Sequence, residues 1–222
     1  LEPALEHFRS LLGDDAVLVD GPEKDEHNDP FPLGDPDEFA PGAVLFPSSV
    51  EEVQGIVRLA NELGVTVWAN SRGKNNAYGG SSPRIRGSVV VSLIRMNKVL
   101  EVNDELGYAV VEPGVRFRDL YAHLKENGHK LWISVPELDW GSVIGNALER
   151  GFGYTAYGEN STKLCGQEIV LPTGELLRTG MGAQENNKAF HLYKPGFGPA
   201  VDGLFQQSNL GIVVKSGVWL MP

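Results

Sequence analysis

Between Ala43 and Leu93 the chain runs through an apolar segment, an amphipathic segment, a second apolar segment, a polar glycine-bearing loop and a third apolar segment. No other stretch restricts the fold as much, because each part carries its own boundary signal. Ala43-Val44-Leu45-Phe46 reads as a buried strand. Ser49-Val50-Glu51-Glu52 predicts a capping box, in which the serine hydroxyl satisfies one free N–H and Glu52 reaches back to another. Val53, Ile56, Val57, Ala60 and Leu63 fall on one helical face, and Gly64 is placed to end the helix. Val65-Thr66-Val67-Trp68-Ala69 and Ser88-Val89-Val90-Val91-Ser92-Leu93 then read as strands on either side of Ser71-Arg72-Gly73-Lys74-Asn75-Asn76-Ala77-Tyr78-Gly79-Gly80.

A glycine-bearing loop between two strands leaves successive backbone N–H groups free to face an anion. Arg72 and Lys74 beside such a nest suit a phosphate or pyrophosphate. It is not a P-loop, since the Gly-x-x-x-x-Gly-Lys-Ser/Thr string is missing and no helix clearly begins at its end. From the loop alone, a surface turn with two solvated cations explains the residues equally well.

The rest of the chain predicts an α+β protein. Pro3 to Leu12 suits a short amphipathic helix with Leu5, Phe8 and Leu12 apolar and Gly13 as its stop. Asp20 to Gly42 is rich in Pro, Gly, Asp and Glu and reads as an irregular excursion. Val99-Leu100-Glu101-Val102 and Tyr108-Ala109-Val110-Val111 flank Asn103 to Gly107 as a hairpin. Arg116 to Asn127 predicts a helix with Phe117, Leu120, Tyr121 and Leu124 inward and Gly128 at its end. A short helix over Ser142 to Glu149 precedes a hairpin from Ile169 to Leu177. Residues 1–42 are thus expected as a helix and irregular arm, 43–100 as a small β-α-β lobe, and 101–222 as a larger, mostly antiparallel lobe, with room for a dinucleotide between the lobes.

The net charge of −10 and pI near 5 argue against nucleic acid or an anionic membrane surface as partner. No apolar run approaches membrane-spanning length and Leu1-Glu2-Pro3-Ala4 is not a signal peptide, so a soluble, cytoplasmic protein is expected. The single cysteine, Cys165, excludes an internal disulfide framework and reads as a half-buried strand thiol. His7, His27, His123, His129 and His191 lack metal spacing and read as solvated or helix-surface residues, so no metal is expected.

Gly151-Phe152-Gly153-Tyr154-Thr155-Ala156 matches the dinucleotide string Gly-x-Gly-x-x-Ala, but that fingerprint needs a strand before it and a helix after it. Here a helical pattern precedes and an aromatic loop follows, so a nicotinamide-type site is rejected. Gly141-Ser142 offers free N–H groups at a helix start, which plain capping also explains.

Taken with Val110-Val111-Glu112-Pro113-Gly114-Val115, Val135-Pro136-Glu137-Leu138, Gly141 to Gly158, Leu177 to Gly182, Gly196 to Phe205 and Ser208 to Pro222, the order and spacing resemble the FAD-binding (PCMH-type) domain of the vanillyl-alcohol oxidase and 4-cresol dehydrogenase family. The resemblance runs from about Ala43 to the last residue. It implies FAD as cofactor and oxidation of a para-substituted phenol by hydride transfer from the benzylic carbon to flavin N5 through a p-quinone methide. Cofactor contacts are implied for Ser71, Arg72, Gly73, Lys74, Asn75, Asn76, Pro136, Glu137, Gly141, Ser142, Gly145, Asn146, Glu149, Gly151, Gly153, Tyr154, Gly211, Ile212 and Val213. Glycines 73, 151 and 153 are expected to permit close approach of the flavin nucleotide to backbone.

Two residues carry implied catalytic roles. Tyr78 matches the tyrosine that helps bind the phenolic oxygen, and Glu137 stands where the family has an Asp beside N5. Two departures stand out: Leu138-Asp139-Trp140 replaces a glycine-rich run, and Glu159-Asn160-Ser161-Thr162-Lys163-Leu164 replaces a segment that often carries His, an aromatic and Met. The absence of His from the Ser71 to Gly80 loop implies non-covalent FAD unless another segment supplies a link. The family chain is about twice as long, with a C-terminal substrate cap domain absent here. The resemblance further implies a small phenolic substrate, O2 or a cytochrome-type protein as electron acceptor, and homo-oligomerisation. The rival readings are a related FAD oxidoreductase acting on a sugar or 2-hydroxy acid, and a flavin-binding module without catalysis of its own.

Overall fold

A computed structural model describes residues 1–35, 37–74 and 80–222. The chain divides into two compact units, Leu1–Arg95 and Met96–Pro222.

In the first unit, helix α1 (Glu2–Leu12) ends at Gly13, whose φ of 88° a residue with a Cβ adopts only with strain. Strands β1 (Val17–Leu18) and β2 (Ala43–Leu45) are antiparallel and are separated by the short helix α2 (Pro22–Asp25), the one helical turn among the described residues of an excursion expected to be irregular. Helix α3 (Val50–Leu63) leads to β3 (Val67–Asn70), and β4 (Val89–Ser92) follows the loop. The sheet order is β1-β2-β4-β3, with β4 parallel to both β2 and β3. Central β4 is buried throughout, as a strand covered on both faces must be, which explains its uninterrupted apolar sequence.

The capping box forms with one change of partner. Ser49 Oγ accepts from the Glu52 N–H at 3.2 Å, but Glu52 Oε2 reaches past Ser49 to the Ser48 N–H at 2.6 Å. Val53, Ile56, Val57 and Ala60 are buried, whereas Leu63, in the last turn, is 39% exposed. Helix α1 packs on α3 at Gly55, where a Cβ would come within 2.8 Å of Leu11 Cδ2.

The second unit is built on an antiparallel sheet in the order β5-β6-β9-β7-β8, from β5 (Val99–Asn103), β6 (Tyr108–Val111), β7 (Leu164–Val170), β8 (Leu176–Arg178) and β9 (Ile212–Trp219). Helices α4 (Phe117–Glu126) and α5 (Val143–Leu148) set Phe117, Leu120, Leu124, Ile144 and Ala147 into one core with Leu164, Ile169 and Val218. Phe117 is 2% exposed, and truncating such a phenylalanine to alanine costs about 3–5 kcal/mol. Tyr121, expected inward, is 55% exposed; it lies at the edge of the α4 stripe, where a phenol ring can stay in water.

All seven residues of β7 are buried, including Gln167 and Glu168. Glu168 is held by charge: its cross-strand partners are Arg178 on β8 and Lys215 on β9, and their nitrogens lie 3.0 and 2.8 Å from its carboxylate. Gly166, with φ 74°, forms a bulge between Cys165 and Gln167, and a Cβ there would strike the Phe190 carbonyl. Cys165 is fully buried, not half-buried, and burial pushes its thiol up to about 12.

Two histidines depart from the solvated reading for the same reason, burial. The His191 ring stacks on Phe190 at 4.4 Å, and its Nδ1 lies 3.1 Å from the Cys165 carbonyl. His27 sits against Phe46. Desolvation lowers the pKa of both rings, assisted at His27 by Lys74.

Candidate functional site

The expected cofactor residues are best taken unit by unit. In the first, Ser71 and Arg72 are half-buried at the end of β3, and Lys74 is exposed with its Nζ 3.6 Å from Glu26. Gly73 has φ 62°, and a Cβ on it would lie 2.5 Å from Ser81 Cβ. Its need for glycine therefore already follows from the chain's own turn over Ser81. Both polar atoms of the Asn70 carboxamide, where β3 meets the loop, are buried and have no partner among the described residues. An orphaned amide costs about 1–3 kcal/mol, so it marks a place where a polar ligand group is missing from the count. Asn75, Asn76 and Tyr78 lie outside the described residues.

In the second unit, Ser142 caps α5. Its Oγ accepts from the Gly145 N–H at 2.8 Å and donates to the Pro113 carbonyl at 2.5 Å. Gly141 has open space, for a Cβ there would meet nothing nearer than 3.9 Å. The two glycines of the Gly-x-Gly string have a reason for their size inside the unit itself. A Cβ on Gly151 would fall onto the Asn146 carboxamide, and one on Gly153 onto Ser134 Oγ. Their small size is required by packing inside the unit. The backbone near them runs next to polar side chains, as an isolated β-bridge between Phe152 and Glu159 closes the aromatic loop.

Asn146 Oδ1 accepts from Asn160 Nδ2 at 2.6 Å, and Asn160 Oδ1 in turn accepts from Lys163 Nζ. Lys163 is 4% exposed, and desolvation lowers its pKa to about 8. Beside it lies a cavity of about 10 Å³ lined by Ser134, Asn160, Lys163, Phe117, Ile133 and Val143 among others, the size of one water. Ser134 is itself buried and accepts from the Thr155 hydroxyl at 2.8 Å.

Pro136 is half-buried and Glu137 exposed, on the irregular run after Ser134. Asp139 is tied to Arg118 at 2.6 Å, a surface pair that fixes the turn before Gly141. Glu149 is exposed at the end of α5 and Tyr154 is 79% exposed, its ring edge-on to Phe152 at 6.4 Å. Gly211 leads into β9 with Ile169 Cγ2 2.6 Å from where its Cβ would stand. Ile212 and Val213 are paired in the sheet against Val170 and Ile169. Their backbone is therefore largely committed to the ladder.

The residues that sequence reasoning passed over as site candidates are Asn70, Ser134, Asn160 and Lys163. The last two fall in the Glu159 to Leu164 departure, which was the available signal.

Residues 41–180 match a protein family described as an FAD binding domain. The chain belongs to that family. The flavoprotein subunit of 4-cresol dehydrogenase (hydroxylating) from Pseudomonas putida is 41% identical over 221 residues, covering 99% of this chain and 42% of that protein. The structure of 4-ethylphenol oxidase from Gulosibacter chungangensis, in complex with isoeugenol, superposes with a TM-score of 0.97 at 49% identity, over 100% of this chain and 42% of that one. Substrate-bound p-cresol methylhydroxylase gives a TM-score of 0.96 at 40% identity, covering 100% and 43%. The chain thus spans about two-fifths of the length of these relatives.

An FAD-binding domain of the PCMH type accounts for the mixed α+β architecture, and the residues fit the cofactor. The first unit presents an orphaned amide at Asn70, and the second, taken by itself, open backbone at Gly141 and a carboxamide at Asn146. Among the described residues no cluster of His, Cys, Asp or Glu suits a metal ion, and no helix is long and apolar enough to cross a membrane.

Proposed function

We propose that this FAD-binding domain serves an oxidoreductase that oxidises para-substituted phenols. The observation that carries the reading is the pair of phenol-oxidising relatives, similar over the whole chain at 41% and 49% identity. When bound, FAD supplies the acceptor for the two electrons leaving the substrate. The chain's own residues bind and orient it. Ser71 to Lys74 and Asn70 serve this in the first unit, with Asn75 and Asn76 assigned the same role. In the second, the Gly141 and Ser142 backbone and the Asn146 carboxamide do so, while Gly145, its N–H held by Ser142 Oγ, leaves room for the cofactor. Within the same reading Tyr78 donates to the phenolic oxygen, holding it as phenolate. Glu137, exposed on the run before the Arg118–Asp139 pair, would support the hydride transfer with its carboxylate. With bound FAD supplying the hydride acceptor, the benzylic carbon of the phenolate would give up hydride, and the resulting quinone methide would take up water or lose a proton. A dry site strengthens each of these charge interactions.

The test is anaerobic mixing of the complete FAD-loaded enzyme with 4-ethylphenol, 4-cresol, D-lactate and glucose in parallel, with bleaching of the oxidised-flavin band as the readout. Reduction by the phenols alone is expected. Reduction by lactate or glucose and not by a phenol overturns the substrate class, and no reduction by any of them supports a binding module without catalysis.

A further inference from the structure

Lys163, Asn160 and Asn146 form a chain of side chains in which every hydrogen-bond direction is fixed from one end. An ammonium group has three donors and no acceptor. Lys163 Nζ therefore meets Asn160 through its carbonyl oxygen, which turns the Asn160 amide nitrogen toward Asn146. That nitrogen donates to Asn146 Oδ1 at 2.6 Å, leaving Asn146 Nδ2 on the far corner of the same planar amide. No partner for Nδ2 is found among the described residues. The Asn146 carboxamide is also pressed onto Gly151, so it has no room to tilt out of this plane. Lys163 makes no ion pair among the described residues, and its stem is surrounded by Phe117, Ile133 and Val143 around the cavity.

A buried amine without a carboxylate is costly, and nothing in the packing of the sheet calls for it. A lysine placed only to fill volume would be better replaced by an apolar side chain, as most of the cavity lining already is. The amine does one thing an apolar residue cannot, which is to choose between the two flips of an amide.

We propose that Lys163 is a positioning residue of the flavin site, acting through Asn160 to present Asn146 Nδ2 as a donor to the bound cofactor. This rests on the reading of Asn146 as a flavin contact. With its pKa at about 8, Lys163 is mostly protonated near neutral pH, the form in which the flip is fixed.

The experiment measures FAD affinity by titrating the complete apoprotein with FAD and following flavin fluorescence, with near-ultraviolet circular dichroism as a check of folding. Lys163→Met, Asn146→Ala and the double variant form a cycle. Loss of one well-oriented donor is expected to weaken FAD about three- to tenfold in Lys163→Met and in Asn146→Ala. In the double variant the loss should be no larger than in Asn146→Ala alone, since Lys163 acts through Asn146. Asn160→Asp provides a second break in the chain, because it keeps a partner for Lys163 while removing the donor to Asn146. It should weaken FAD to the same extent.

Unchanged FAD affinity in Lys163→Met and Asn160→Asp overturns the proposal, as do losses that add in the double variant. If Lys163→Met does not fold, Asn160→Asp with Asn146→Ala decides by the same criteria. Wild-type apoprotein that takes up no FAD overturns the flavin reading of the site and this inference with it, an outcome separate from the others.

Discussion

Replacing Lys163 by methionine should change how stability depends on pH, and the size of the change follows from burial of the amine. Desolvation lowers its pKa from 10.5 to about 8, so the native state binds that proton more weakly than the unfolded chain. Stability then rises with pH over the range between the two values, where the unfolded state carries the extra proton. Two and a half pK units correspond to a folding cost of about 3 kcal/mol near pH 7, falling to about 2 kcal/mol near pH 9. Wild type should therefore gain about 1 kcal/mol relative to Lys163→Met between those two pH values. The Cys165 thiol, pushed up to about 12 in the fold, ionises first in the unfolded chain as pH approaches 9 and lowers stability there, but that term is common to both proteins and cancels in the difference. Urea denaturation of both at pH 7, 8 and 9 measures it, with equal m-values as the check that the same transition is compared. A difference that stays constant with pH would show that Lys163 titrates like a solvated lysine, and the burial argument would be wrong.

Gly166→Ala should destabilise the fold by about 3 kcal/mol, since it adds a Cβ against the Phe190 carbonyl at φ 74°. Thermal denaturation should show a Tm lower by roughly 6–12 °C, and an unchanged Tm would mean that the bulge relaxes freely. In the complete enzyme, Tyr78→Phe should lower kcat/KM for phenols by about one to two powers of ten with FAD still bound. Glu137→Gln should instead slow flavin reduction with less change in substrate affinity; stopped-flow rates equal to wild type for both would make the two residues structural. Acid precipitation of this chain should release all its flavin to the supernatant, and fluorescence retained by the chain on a denaturing gel would refute non-covalent binding.

The elements with strong local signals were legible before any coordinates. The helix from Val50 to Leu63 announces itself by its capping box and its Gly64 stop, and the β5–β6 hairpin by its turn residues. What a sequence does not carry is the far wall of each contact. Leu63 and Tyr121 satisfy the helical period but are 39% and 55% exposed. The glycines at 151 and 153 stand where a ligand-approach motif would put them, and the sequence does not show that Asn146 and Ser134 also pack against them. Lys163 stands in the sequence only as part of the Glu159 to Leu164 departure; its burial comes among Phe117, Ile133 and Val143, distant in sequence. His191 looks solvated until Phe190 and the Cys165 carbonyl close around it. In the candidate site, the glycine and capping positions were readable, while the Lys163–Asn160–Asn146 chain was visible only as a departure from the expected residues.

The carboxylate of Glu168, set between Arg178 and Lys215 on the neighbouring strands, constrains how this sequence can drift. Losing either cation leaves the other to balance the buried anion, and losing the anion leaves two positive groups facing each other across β7. Any single neutral replacement thus passes through a less stable protein, whereas an apolar trio fits the same cross-strand positions without conflict. Among homologues, positions 168, 178 and 215 should accordingly change together, and a pairwise covariation signal linking all three is the trace this ladder would leave in an alignment.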